Sequence, residues 1–140
     1  MTRDEIAAII ARRQEALTRL DAVALTALHA EDCVLESPWA GTVAGREGIE
    51  KVYRELFKSF PDFKYQPEEL LIDGDQVAQT ATFGGTDNRG FMGLPPSGKQ
   101  IRIPAALLFT LKNHQIVRLR VIYDFTSMLL QIGVLKVKPT

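Results

Sequence analysis

The segment Ile116–Gln131, IVRLRVIYDFTSMLLQ, holds the residues whose types and spacing best suit chemistry. A single acid, Asp124, stands where a strand-like apolar pattern gives way to a helical one. Side chains alternate faces along a strand, so Arg118, Arg120, Ile122 and Asp124 share one face, and Leu119, Val121, Tyr123 and Phe125 the other. A lone carboxyl group can take up a proton and give it back, and an apolar pocket raises its pKa towards the useful range. Burying an unpaired charge is costly, so the Asp124 face must either meet water or line a cavity. The cavity reading makes Asp124 the acid/base candidate. Arg120 and Arg118 then face the interior and read a polar or anionic part of a ligand, while Ile122, Trp39 and Phe57 supply apolar surroundings. The alternative is structural: Asp124 pairs with Arg120 or Arg118, or caps the helical turn opening at Thr126. A guanidinium beside the carboxylate would also weaken it as a base.

Other candidates are few. His29, at the end of a short helical segment, suits a partner for the helix dipole, and His114 falls in a hairpin turn facing solvent. His29, Asp32 and Glu36 lack a second histidine, so no metal site is expected, and Cys33 alone supports neither an intrachain disulfide nor a Cys-rich site. Tyr53 and Tyr123 have hydroxyls able to donate to an oxyanion. Tyr53, however, lies on an apolar helical stripe and reads as core, and Tyr123 points away from Asp124. There is no Ser-His-Asp order, nucleophile elbow or phosphate loop. The prolines of Gly93–Gly98 remove the amide donors that a phosphate cradle needs.

The elements that must position these residues follow from periodicity. Thr2 and Glu5 have capping-box spacing ahead of a helix whose stripe is Ile6, Ile9, Ile10, Leu17 and Leu20, with Arg12, Arg13 and Glu15 mostly off it. Asp21 caps a short second helix that ends at Glu31-Asp32, and Cys33–Glu36 is a short strand cut off by Ser37-Pro38. A short paired strand is expected between the turns of Trp39–Gly45. A third helix starts near Arg46 and stops at Pro61. Strands follow at Phe63–Ile72, Gln76–Gly84, Ile101–Lys112 and Ile116–Phe125, separated by turns at Asp73-Gly74 and Asn113-His114 and by the loop Gly85–Lys99. Helices first and long strands afterwards define an α+β class rather than an alternating parallel sheet.

One domain spanning residues 1–140 is expected, since 140 residues bury a proper core and no linker or repeat interrupts them. Seventeen basic residues balance seventeen acidic ones without a basic block, which argues against nucleic acid. The first residues carry acids and no long apolar run, so neither a secretory signal nor a membrane span is expected, and the chain reads as cytoplasmic.

Four stretches carry a resemblance: GTVAGREGIEKVY (41–53), FPDF (60–63), GLPPSGK (93–99) and YDFTSMLLQIGV (123–134). With the order of elements, and over about residues 5–135, the chain resembles the SnoaL-like polyketide cyclases of the nuclear transport factor 2-like superfamily. The pattern of Asp124, Gln131 and Gly133 is fairly specific to that family. The resemblance implies a cone-shaped, strongly curved sheet, mixed or antiparallel, whose pocket is bounded by about three helices from the N-terminal half. It implies that Asp124 matches an aspartate acting as general acid/base in an intramolecular aldol condensation, without metal, Schiff base or organic cofactor. It also implies a small, hydrophobic, oxygenated ligand and a two-fold homodimer. The outer face of the last strands, with Leu119, Val121 and Tyr123, is the expected dimer surface. Asp87 and Arg89 stand where many relatives have histidine and glycine, and Arg120 where relatives often have an aromatic residue. The superfamily also holds isomerases, hydrolases, dehydratases and non-catalytic members, so isomerisation or hydration in the same pocket, or ligand binding alone, are the alternative functions.

Overall fold

The computed structural model describes residues 1–138. Three helices, α1 (Arg3–Thr18), α2 (Ala22–Ala27) and α3 (Arg46–Ser59), are interleaved with strands β1 (His29–Ser37) and β2 (Gly41–Ala44). Strands β3 (Lys64–Asp73), β4 (Gln76–Thr86), β5 (Gln100–Lys112) and β6 (Gln115–Tyr123) follow, and helix α4 (Phe125–Gln131) closes the order. The strands make one mixed, open sheet in the order β2-β1-β6-β5-β4-β3. Only β1 and β6 run parallel; every other neighbouring pair is antiparallel. This is the α+β cone of the nuclear transport factor 2-like kind. Among the described residues no helix is long and apolar enough to cross a membrane.

Local rules set most boundaries. The Thr2 hydroxyl accepts from the Glu5 amide at 3.1 Å and starts α1; the Asp21 carboxylate accepts from the Ala24 amide at 3.0 Å and starts α2. Asn113 and His114 both take positive φ (50° and 64°), the geometry of a two-residue turn whose twist matches the β5–β6 hairpin. The second helix is shorter than its sequence pattern predicts. It ends at Ala27, and Glu31 and Asp32 belong to β1, which begins already at His29. The cause is long-range pairing, since the Ile116 amide donates to the Leu28 carbonyl and His29 lies opposite Ile116.

The alternation along β6 is as expected, but its two faces are exchanged. Leu119 is fully buried, Val121 and Tyr123 point inwards, and Arg118, Arg120, Ile122 and Asp124 lie on the exposed side. The physical reason is desolvation. Between one face carrying two guanidinium groups and a carboxylate and another that is apolar, the helices bury the apolar one. Leu119, Val121 and Tyr123 therefore form no outer dimer surface. The exposed apolar residues of the outer face are instead ones such as Leu71, Leu108 and Ile122, with Leu108 and Ile122, 40% and 43% exposed, beside Pro104.

Candidate functional site

The inner face of the sheet and helices α1 and α3 enclose a cavity of about 90 Å³. Leu17, Leu35, Val52, Leu56, Leu107 and Met128 give it aliphatic walls, and the rings of Phe63, Tyr65, Phe83 and Tyr123 close its sides. The long loop after β4 supplies Phe91, which is 1% exposed and packs between Trp39 and Phe60 at ring separations of 5.1 and 5.4 Å. That loop is tied shut through Asp87. Its carboxylate accepts from the amide (3.1 Å) and hydroxyl (2.8 Å) of Ser97, while its carbonyl accepts from the Gly98 amide at 2.8 Å. Gly90 has φ +85° and sits against the Leu94 carbonyl, so a side chain there would collide with backbone. The GLPPSGK stretch thus acts as a clasp that holds Phe91 in the pocket wall.

One permanent charge faces this cavity. Arg13 is 4% exposed and stands on the buried stripe of α1 with Ile6, Ile9, Ile10, Ala16 and Leu17. Its guanidinium lies over the rings of Tyr65 and Phe109, 5.4 and 5.1 Å from their centroids. No carboxylate pairs with it among the described residues, and its Nε has no hydrogen-bond partner. Desolvation pulls its pKa down, but the neighbouring phenols of Tyr53 and Tyr65 push it up, and the net shift is upward, so the group stays charged. Removing an ion from water costs several kcal/mol even after relaxation. A desolvated cation–π contact returns about 2 kcal/mol. The two rings therefore offset only part of the cost.

The groups around Arg13 are polar and incompletely satisfied. Tyr65 donates its hydroxyl to the side-chain oxygen of Gln79. The Tyr53 hydroxyl, in a residue 5% exposed, has no partner. His29 is fully buried, its ring 6.0 Å from that of Tyr53. Its Nδ1 lies 3.0 Å from the Leu25 carbonyl, which makes Nδ1 the donor and leaves Nε2 an acceptor without a partner. Burial pushes the imidazole pKa down to about 4, against the hydrogen bond to Leu25, so the ring is neutral at pH 7. Burial likewise raises the Tyr123 hydroxyl to about 12. None of the side chains lining the cavity is a carboxylate, imidazole, thiol or amine.

Of the residues singled out from sequence, Trp39, Tyr53 and Tyr123 line this cavity. Phe57 stands behind it, stacked on Tyr53 at 6.2 Å and tilted against Phe63 at 5.8 Å. Arg120 and Arg118 do not face the interior; both are exposed, and Arg118 pairs with Glu36 at 2.8 Å on the outer side. Ile122 is exposed on the same side. Asp124 is exposed too, and its carboxylate accepts from the Ser127 amide at 3.1 Å as the cap of α4. The ion-pair alternative gives way to the cap: neither arginine of β6 contacts Asp124. His29 bonds a last-turn carbonyl of α2, as a dipole partner should, but from a fully buried position. His114 is exposed and meets Glu5 at 2.6 Å. Asp32 is exposed and Glu36 turns to Arg118, so neither joins His29.

Arg13 is the residue that sequence reading misplaces. Its spacing contains the missing signal: it falls seven residues after Ile6, four after Ile9 and three after Ile10, so it shares their face. Phe91 gives no periodic signal because it comes from a loop.

A six-stranded open sheet wrapped by helices around an apolar cavity defines the class: an α+β cone-fold protein. The chain belongs to the SnoaL-like polyketide cyclase family, whose model matches residues 8–132. Among solved structures, it is 30% identical to IdmH from Streptomyces antibioticus, a proposed polyketide cyclase, covering 91% of this chain and 97% of that one with a TM-score of 0.77. A proposed SnoaL-like polyketide cyclase from Jannaschia sp. CCS1 is 22% identical over 95% of this chain and 94% of its own, with a TM-score of 0.83. A protein with a ketosteroid isomerase-like fold from Catenulispora acidiphila, in complex with trimethylamine, is 25% identical over 89% and 92% with a TM-score of 0.75. No curated protein sequence matches the chain.

Proposed function

We propose that this family member binds a small, mostly apolar, oxygen-bearing molecule in the inner pocket, with Arg13 and Tyr53 holding its oxygen, and that it does not run acid/base cyclisation there. The observation that carries this reading is the pocket lining. Aldol closure and isomerisation both begin by removing a proton next to a carbonyl, and no lining group is a base near neutral pH. Asp124 is exposed on the outer face, away from the cavity, and its carboxylate is spent on capping α4. Size supports the same reading. A cavity of about 90 Å³ is smaller than the roughly 150 Å³ that accepts benzene, so a polycyclic substrate would not enter without rearrangement.

A second reading, favoured by membership of the family and by the identity to IdmH, keeps cofactor-independent cyclase- or isomerase-type catalysis with Asp124 as the acid/base. One experiment separates the two. Deuterium uptake next to the carbonyl of small ketones such as cyclopentanone is followed by NMR in D2O, with ketone binding followed by the fluorescence of Trp39, the only tryptophan. Binding without faster exchange supports the first reading. Exchange accelerated by the wild-type protein and abolished in Asp124→Asn supports the second and contradicts the first. We also propose self-association through Leu108, Ile122 and Pro104 on the outer face; light scattering should give twice the chain mass, and Leu108→Lys/Ile122→Lys should give the monomer.

A further inference from the structure

We infer that the buried end of the ligand is an anion, a carboxylate, seated against Arg13; the inference rests on the pocket reading above and deepens it. Arg13 lines the cavity, is 4% exposed and has no acidic partner among the described residues. Tyr65 and Phe109 cover its faces, which leaves its N–H edge in need of an acceptor, and the Nε atom has none. The buried Tyr53 hydroxyl also lacks a partner and lies close enough to Arg13 to influence its ionisation. Two donors, one of them charged, thus come together: the phenol oxygens of Tyr53 and Tyr65 are the protein groups nearest the guanidinium, and neither carries a charge to balance it.

Charge and shape then select the acceptor. A neutral carbonyl could accept from both donors but would leave the guanidinium charge uncompensated in a dry site. A carboxylate neutralises it and offers two oxygens to the fork of N–H donors. Phosphate or sulfate would bring more charge and more oxygens than the site answers, because apart from Ser37 and the polar atoms of Trp39, Tyr65 and Tyr123 the other walls of the cavity are apolar. The ligand class is therefore a small monocarboxylic acid with an apolar body: the acid end lies on Arg13 and Tyr53, the body against Leu35, Val52 and Leu107.

The test titrates the intact chain with propionate and isobutyrate, and with the isosteric neutral amides propionamide and isobutyramide, reading Trp39 fluorescence at pH 7. The acids should bind at least ten times more tightly than their amides, and Arg13→Met should remove that preference. Equal affinity of acid and amide would overturn the inference while leaving the pocket reading standing. An acid preference that survives in Arg13→Met would also overturn it, by assigning the selectivity to another cation. Silence of all four compounds would overturn the pocket reading itself, and the inference with it. Should Arg13→Met fail to fold, the wild-type comparison of acid with amide still decides, and Arg13→Lys should retain the preference.

Discussion

A helix cap needs a side-chain oxygen, and Asn supplies one as well as Asp does. If Asp124 serves α4 only in that way, Asp124→Asn should leave both the melting temperature and pocket affinity nearly unchanged. Asp124→Ala should cost about 1 kcal/mol of stability, with affinity again untouched. Thermal melts and Trp39 titrations of the two variants check this; a loss of affinity in either would tie Asp124 to the pocket. His29 makes a separate prediction at the same scale. Its imidazole titrates near 6.5 in an unfolded chain and at about 4 when folded, so between those values the unfolded state binds more protons. Stability is complete above pH 6.5 and falls as the pH drops towards 4, by about 3 kcal/mol from this group alone. Denaturant titrations across that window should show the slope, and His29→Leu should flatten it. A wild-type stability that is level from pH 7 to pH 4 would contradict the assignment. Single residues are where the sequence is least legible. A guanidinium on an apolar stripe reads as solvated because arginines almost always are; Arg13 becomes visible only when its i+3, i+4 and i+7 spacing is weighed above its charge.

The terminal pattern of Asp124, Gln131 and Gly133 is a docking device for α4. Asp124 caps its first turn. Gln131 accepts from the Arg102 amide at 2.7 Å and donates to the Arg102 carbonyl at 3.1 Å, replacing the strand neighbour that β5 lacks beyond the end of β6. Gly133, at φ +84°, ends the helix with two bonds: its own amide reaches the Leu130 carbonyl, and the Val134 amide reaches the Leu129 carbonyl. The pattern that marks the family is thus explained without chemistry, by a helix that must lie over an unfinished sheet edge. Gln131→Leu should leave both Arg102 backbone groups to water, cost about 1 kcal/mol and speed hydrogen exchange at the Arg102 amide. Unchanged protection of that amide would contradict the docking role. Elements of this kind were largely legible, because the Thr2 and Asp21 caps, the Asn113-His114 turn and the Pro61 stop are local rules. The boundary between α2 and β1 was not, since pairing with β6 fixes it from far along the chain.

At the scale of the whole molecule, what local patterns leave open is which side of the sheet faces in. Alternation along β6 divides its residues into two sets without saying which set the helices cover; that depends on α1 and α3 presenting Ile6, Ile9, Ile49 and Tyr53 as a continuous apolar surface. The helices choose the face of Leu119, Val121 and Tyr123, and the pocket and its cation move there with it. We propose that this inner face, and not the face of Asp124 and Arg120, receives the ligand. Adjacent residues of β6 test it most directly, because Val121 lines the cavity and Ile122 is exposed on the other side. Binding of the acid and amide compounds is measured for Val121→Phe and Ile122→Phe in parallel, with melts to confirm folding. Val121→Phe, by filling the cavity, should weaken binding at least tenfold, and Ile122→Phe should leave it unchanged. Binding lost in Ile122→Phe and kept in Val121→Phe would contradict it.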